Sequence, residues 1–186
     1  MAATKLPEIG FVRECLDYDP ETGVFTWRER PLRHFANARG WWQWNPKLAG
    51  KPAGSRHNGA YGKIYWCIRL AGHIWLAHRV AWLLVHGADP WPDEVDHIDG
   101  DPLNNRIANL RLATRSQQSA NSRRQSRGTI TGVKGVTPNG RSNGYDARIT
   151  LDGKTHYIGH FSTIEEAAEA RRKAAIQLYG EFHRHE

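Results

Sequence analysis

Hydrophobic and polar positions follow different periods along this chain, and each change of period marks an element. Ile9 to Leu16 has the spacing of a short opening helix, and Asp19-Pro20-Glu21-Thr22-Gly23 supplies turn chemistry before a short strand, Val24 to Trp27. Arg30 to Gly62 is loop-rich by the same reading, and the Trp41-Trp42-x-Trp44 cluster within it has the chemistry to stack on bases, although buried or half-buried packing is the commoner fate of tryptophan. Lys63 to Leu70 and His73 to Ala77 predict a hairpin around Ala71-Gly72. His78 to His86 places Val80, Leu83 and Leu84 on one helical face and stops at Gly87. Val95 to Asp101 is a short strand running into a Gly/Asp/Pro turn, with Arg106 to Arg111 as its return strand. Thr114-Arg115-Ser116-Gln117 then fits a capping box, so a helix begins near Arg115, and Gln118 and Asn121 share one of its faces.

Beyond a basic stretch, Ser122 to Gly128, the period changes to two. Tyr145, Ala147, Ile149 and Leu151 alternate with Asp146, Arg148 and Thr150, the pattern of a half-buried strand. Asp152-Gly153 makes a two-residue hairpin turn that pairs Leu151 with Lys154, which gathers Arg148, Thr150, Thr155 and Tyr157 on one polar face. Thr163 to Glu166 caps a helix whose Ala167, Ala168, Ala174, Ala175 and Leu178 pack on the other face, and Gly180 ends it. The fold class expected is α+β, ending in a three-stranded antiparallel sheet packed on one helix. The domains expected are 1–122, with a core at about 91–122, a linker at 123–128, and 129–186.

Composition adds a partner. The 186 residues carry 26 Lys and Arg against 19 Asp and Glu, a net charge of +7. Between Leu103 and His160 there are ten basic residues and two acidic ones, a density suited to a phosphate backbone, although a solvated basic face has the same composition. Cys15 and Cys67 form no CxxC pair and no zinc knuckle, which argues against Cys-ligated zinc and for a reducing cytoplasm. No apolar run approaches the roughly 20 residues of a membrane span, and the N-terminus has no charged-then-apolar signal pattern, so a soluble protein is expected.

Asp96, His97, Asn109 and one helical amide, Gln118 or Asn121, are brought together by the predicted strands and helix. These groups suit phosphodiester hydrolysis, which needs an activated water and a cation to neutralise charge on phosphate and leaving oxygen. Histidine titrates near neutrality and serves as general base. Mg²⁺ takes hard oxygen ligands such as Asp96 and a side-chain amide. Adjacent strand residues face opposite ways, so Asp96 and His97 share a site only where the strand gives way to the turn. Asp99 and Asp101, in an Asp-Gly-Asp-Pro turn, are expected to bond their own backbone, and His78 to be a structural histidine.

The run Asp96-His97-Ile98-Asp99-Gly100-Asp101, with Asn104-Asn105-Arg106, Asn109-Leu110-Arg111 and Ala113 to Gln117, resembles the HNH homing-endonuclease family, common in phages. Asp19 to Gly23 and His78 to Trp82 extend the resemblance over roughly residues 10–122. It implies a ββα-metal fold and a divalent cation, Mg²⁺ with Mn²⁺ as the alternative and no zinc. It also implies His97 as general base, Asp96 as metal ligand, and Asn109 as the residue that braces the hairpin and orients the histidine. The second ligand falls to Gln118 or, alternatively, Asn121.

Lys134-Gly135-Val136, Tyr145 to Ile149, Tyr157 to Phe161 and Glu165 to Ala168 resemble the plant ethylene-response-factor (apetala-two type) DNA-binding domain. That resemblance implies that Lys134, Arg148, Thr150, Thr155 and Tyr157 meet double-stranded DNA, with Arg123 and Arg124 of the linker nearby. Together the two likenesses imply a phage-encoded, metal-dependent DNA endonuclease in the bacterial host; its oligomeric state is left open, with a monomer favoured. The rivals are a catalytically decayed DNA-binding regulator and a non-specific degradative nuclease.

Overall fold

The computed structural model describes residues 5–59, 62–114, 117, 130–140, 143–151 and 153–180. They form a mixed α+β chain with small sheets, in two compact units divided between Leu112 and Ala113.

In the first unit α1 (Ile9–Cys15) leads into an antiparallel hairpin of β1 (Leu16–Tyr18) and β2 (Phe25–Trp27). The Asp19 carboxylate builds its turn: Oδ1 accepts the Glu21 N–H at 2.9 Å and Oδ2 the Thr22 hydroxyl at 2.7 Å. Gly23, at φ +74°, lies so close to the chain at Asn105–Arg106 that a Cβ there would come within 2.6 Å of the Arg106 nitrogen. Both the angle and the approach call for glycine.

The stretch expected to be loop contains α2 (Ala38–Leu48) and a strand, β3 (Ser55–Asn58). Gly40 and Pro46 weaken the helical signal of α2. What overrides them is a cap, Asn37 Oδ1 accepting the Gly40 N–H at 3.0 Å, and aromatic packing. Trp44 stands edge-on to Trp27 at 5.3 Å, and the Arg30 guanidinium lies over Phe35 and Trp44 at 5.1 and 5.0 Å. Trp44 is half-buried as expected, whereas Trp42 is 67% exposed.

β3 pairs with β4 (Ile64–Leu70), which pairs with β5 (His73–Leu76); Leu70 stands opposite His73, as the hairpin reading expects. α3 (Ala77–His86) follows and ends at Gly87 in the left-handed region. Val80 and Leu83 of α3 are buried, with Val12, Phe25, Ile68 and Leu70 as neighbours in the core. β6 (Glu94–His97) pairs with β7 (Leu110–Ala113). The return strand thus begins at Leu110 rather than Arg106, because Ile107–Asn109 forms a 3₁₀ turn in which the Asn109 N–H bonds the Arg106 carbonyl at 2.9 Å.

The second unit has an antiparallel sheet in the order β8 (Val136–Pro138), β9 (Tyr145–Leu151), β10 (Lys154–Phe161), against which α4 (Ile164–Tyr179) packs. The register sets Leu151 opposite Lys154, Thr150 opposite Thr155 and Arg148 opposite Tyr157. Asp152 lies outside the described residues. Thr163 and Glu166 form the capping box at the start of α4. Ala167 and Ala175 are buried and Ala168 and Ala174 half-buried, but Leu178 is 40% exposed. Tyr179, one turn beyond Ala175, takes the inward place, and its hydroxyl donates to the Thr150 carbonyl.

Candidate active site

His97 is the last residue of β6, so the chain leaves the strand where Asp96 and His97 stand side by side. Both are buried, at 7% and 6% exposure. The Asp96 carboxylate turns to β7, where Oδ2 meets Arg111 Nη2 at 3.3 Å and Nε at 3.4 Å. His97 packs against α3 instead: its ring stands at 88° to that of His78, 4.8 Å between centroids.

The loop after β6 is a hydrogen-bonded knot. Asp101 N–H bonds Asp99 Oδ1 at 2.8 Å and Leu103 N–H bonds Asp101 Oδ1 at 3.0 Å, the local backbone bonds expected of both aspartates. Asn109 ties the knot. Its Nδ2 donates to the Asn104 carbonyl at 2.8 Å and to Asp99 Oδ1 at 3.0 Å, its Oδ1 accepts the Asp99 N–H at 3.1 Å, and its carbonyl accepts the Ile98 N–H at 2.9 Å. Burial works against the charge on Asp99, but the Asp101 amide and the Asn104 and Asn109 side chains outweigh it and lower its pKa.

The residue that reaches the histidine is Asn105, which the sequence analysis does not single out. It is 3% exposed, and its Oδ1 lies 3.3 Å from His97 Nε2. Its Nδ2 donates to the Leu103 carbonyl at 3.2 Å, and its own carbonyl accepts the Tyr18 hydroxyl at 2.7 Å. That second partner is 87 positions upstream, beyond the reach of any local pattern. His78, expected to be structural, is buried, and its Nδ1 has no hydrogen-bond partner among the described residues. Burial, then His97 and Arg79, push its pKa well below the ordinary value. Burial lowers that of His97 too, against the opposing pull of Asn105, Asp96, Asp99 and Asp101. Burial thus favours the neutral form of both rings.

The Thr114–Gln117 pair is formed, with Thr114 N–H on Gln117 Oε1 at 2.8 Å and Gln117 N–H on Thr114 Oγ1 at 3.3 Å. Gln118, Asn121, Arg123 and Arg124 lie outside the described residues. Among the described residues no three His, Cys, Asp or Glu side chains are grouped to hold a metal ion. Asp96 provides one hard carboxylate donor of the kind Mg²⁺ takes.

In the second unit Arg148 lies over the Tyr157 ring at 5.9 Å, and the Thr150 and Thr155 hydroxyls are 3.0 Å apart. The Arg148 side chain is 54% exposed and Tyr157 59%. Lys134 is half-buried in the turn before β8.

Residues 76–120 match the HNH endonuclease family. The chain is 38% identical over 111 residues to an uncharacterized HNH endonuclease, L560, of Acanthamoeba polyphaga mimivirus, an alignment that covers 60% of this chain and 56% of that one. It is 32% identical over 107 residues to Protein 3.8 of Escherichia phage T7, covering 58% of this chain and 87% of the phage protein. No solved structure matches. The chain thus spans little more than half of the mimivirus protein and most of the phage one. The matched segment holds α3, β6 and β7 and with them His78, Asp96, His97, Asn105 and Asn109: this chain belongs to the HNH endonuclease family.

Proposed function

We propose that this chain is a metal-dependent DNA endonuclease of the homing type, which hydrolyses phosphodiester bonds in double-stranded DNA while residues 129–186 supply DNA binding. The observation that carries the reading is a buried His97 next to Asp96 at the end of β6, inside the segment that matches the HNH family. A neutral imidazole takes the proton from the attacking water. The water oxygen bonds to phosphorus as the bond to the leaving oxygen breaks. Asn109 holds the loop that frames this event, and Arg111 fixes the Asp96 carboxylate.

A divalent cation, Mg²⁺ or alternatively Mn²⁺, would supply neutralising charge to the phosphate and the leaving oxygen. Asp96 and either Gln118 or Asn121 would hold it. In metal titrations of cleavage, Gln118→Ala is expected to be more damaging than Asn121→Ala; the reverse order moves the ligand to Asn121. On the second unit, the exposed Arg148 and Tyr157 with Thr150, Thr155 and Lys134 support a DNA-facing sheet, to which Arg123 and Arg124 of the linker add charge.

The test is cleavage of supercoiled plasmid with Mg²⁺ and with chelator. Cleavage that needs the cation and is lost in His97→Ala supports the reading. DNA binding without cleavage would instead show a regulator with a decayed site, and metal-independent cleavage would break the link to Asp96.

A further inference from the structure

We propose that Tyr18 and Asn105 form a positioning relay for His97, which keeps the imidazole proton on Nε2 and leaves Nδ1 as the basic nitrogen. Both residues are positioning groups: one touches the histidine, and the other holds the first in place. The reactive role of Nδ1 rests on the endonuclease reading, whereas the tautomer does not.

An asparagine side-chain oxygen only accepts hydrogen bonds and its nitrogen only donates. Asn105 Nδ2 donates to the Leu103 carbonyl, so a flipped amide would set oxygen against oxygen there. Oδ1 therefore faces His97 Nε2, and at 3.3 Å that nitrogen is the donor. A neutral imidazole carries one N–H, and with it on Nε2 the lone pair is on Nδ1. Asn105 is 3% exposed, so water competes little for either bond.

The amide is anchored through its backbone. The Tyr18 hydroxyl donates to the Asn105 carbonyl at 2.7 Å, the Ile107 N–H bonds the Pro20 carbonyl at 3.0 Å, and Gly23 allows the hairpin turn to lie against Asn105 and Arg106. Burial pushes the Tyr18 phenol up to about 12, so it stays a donor throughout the neutral range. The relay thus starts in the hairpin of β1 and β2, well outside residues 76–120, and ends on the histidine inside them.

The experiment is long-range ¹H–¹⁵N NMR of the histidine rings in the metal-free full chain at a pH where His97 is neutral, with His97→Ala to assign its signals. The expected spectrum shows Nε2 protonated and Nδ1 unprotonated. In Asn105→Ala the two tautomers should mix and kcat should fall about 10- to 100-fold, the usual size for loss of an orienting partner, with KM little changed. Tyr18→Phe, which loses the bond to the Asn105 carbonyl but leaves the amide in place, should give a partial loss. A wild-type His97 protonated on Nδ1, or a tautomer unmoved by Asn105→Ala, overturns the proposal. The wild-type spectrum decides even if a variant fails to fold. Failure of the endonuclease reading shows separately, as a wild-type chain with the expected tautomer that does not cleave DNA.

Discussion

Each unit of this chain gathers polar side chains about a buried strand aspartate, Asp96 at 7% and Asp146 at 8% exposure, and the two differ in how far the surrounding groups meet water. In the first unit Asp96, His97, Asn105 and His78 are all under a tenth exposed. In the second, the Asp146 carboxylate collects Asn139 Nδ2 at 3.1 Å, His160 Nδ1 at 3.1 Å, and the Tyr157 hydroxyl and Arg148 Nη2 at 3.4 Å, with Tyr157, Arg148 and His160 standing in solvent. Buried polar groups are costly unless their partners are fixed, so the first cluster is rigid by necessity. Burial favours the neutral form of its histidines, the form that can accept a proton. The bonds from His160 and Asn139 hold Asp146 below the usual carboxylate range, and the carboxylate in turn orients Arg148 on an open face, which suits contact with a polyanion.

The largest expected effect separates the two roles. His97→Ala should slow single-turnover cleavage about 10²–10⁴-fold with DNA affinity nearly unchanged. If Arg148→Ala at saturating DNA slows the same step comparably, the division between the units fails. Next in size is Gly23→Ala, which forces a Cβ to within 2.6 Å of the Arg106 nitrogen at a φ of +74°. It should destabilise the first unit by about 1–3 kcal/mol in urea titrations followed by residue-resolved NMR, and leave the second unit's midpoint in place.

Acid should sharpen the contrast. His78, faced by His97, Arg79 and Tyr65, takes a proton in the folded unit only well below 6.5, while the unfolded chain takes it near 6.5. Below pH 6.5 the unfolded state binds more protons, so the first unit's stability is full above that value and is lost as pH falls. Asp146 has a pKa below 3.8 when folded, so its contribution persists above 3.8 and is lost as pH falls through the lower value. Amide exchange followed residue by residue should therefore show the first unit opening at a higher pH than the second. The reverse order would contradict the burial argument.

Two smaller effects belong to the second unit. Thr163→Ala removes the capping box of α4 and should cost about 1 kcal/mol there, read by thermal melting, with cleavage at saturating DNA unchanged. Arg148→Ala should weaken DNA binding modestly and reduce the slope of log affinity against log salt by about 1.

What was legible in the sequence follows from the range of the interactions. The pairing of Leu151 with Lys154 could be read because a period of two and an adjacent turn set it locally. The place of Asp96 and His97 at a strand end could be read from the Gly100-Asp101-Pro102 breaker beyond them. α2 could not, since its support comes from Trp27 and Arg30, outside the helix, while Gly40 and Pro46 inside it point the other way. Asn109 was legible in motif, but the contact to the histidine is made by Asn105, whose place depends on Tyr18. Exposed Leu178 shows the same limit: nothing local says that Tyr179 will take the inward position.

All eight tryptophans lie between Trp27 and Trp91, and hence in the first unit, while the aromatic side chains of the second are tyrosine and phenylalanine. Intrinsic tryptophan emission is accordingly blind to the sheet that carries Arg148. It follows only the unit that holds His97, whereas far-ultraviolet circular dichroism sees both. An unfolding curve recorded by the two signals together would, without any label, tell whether the halves of this chain melt as one body or as two.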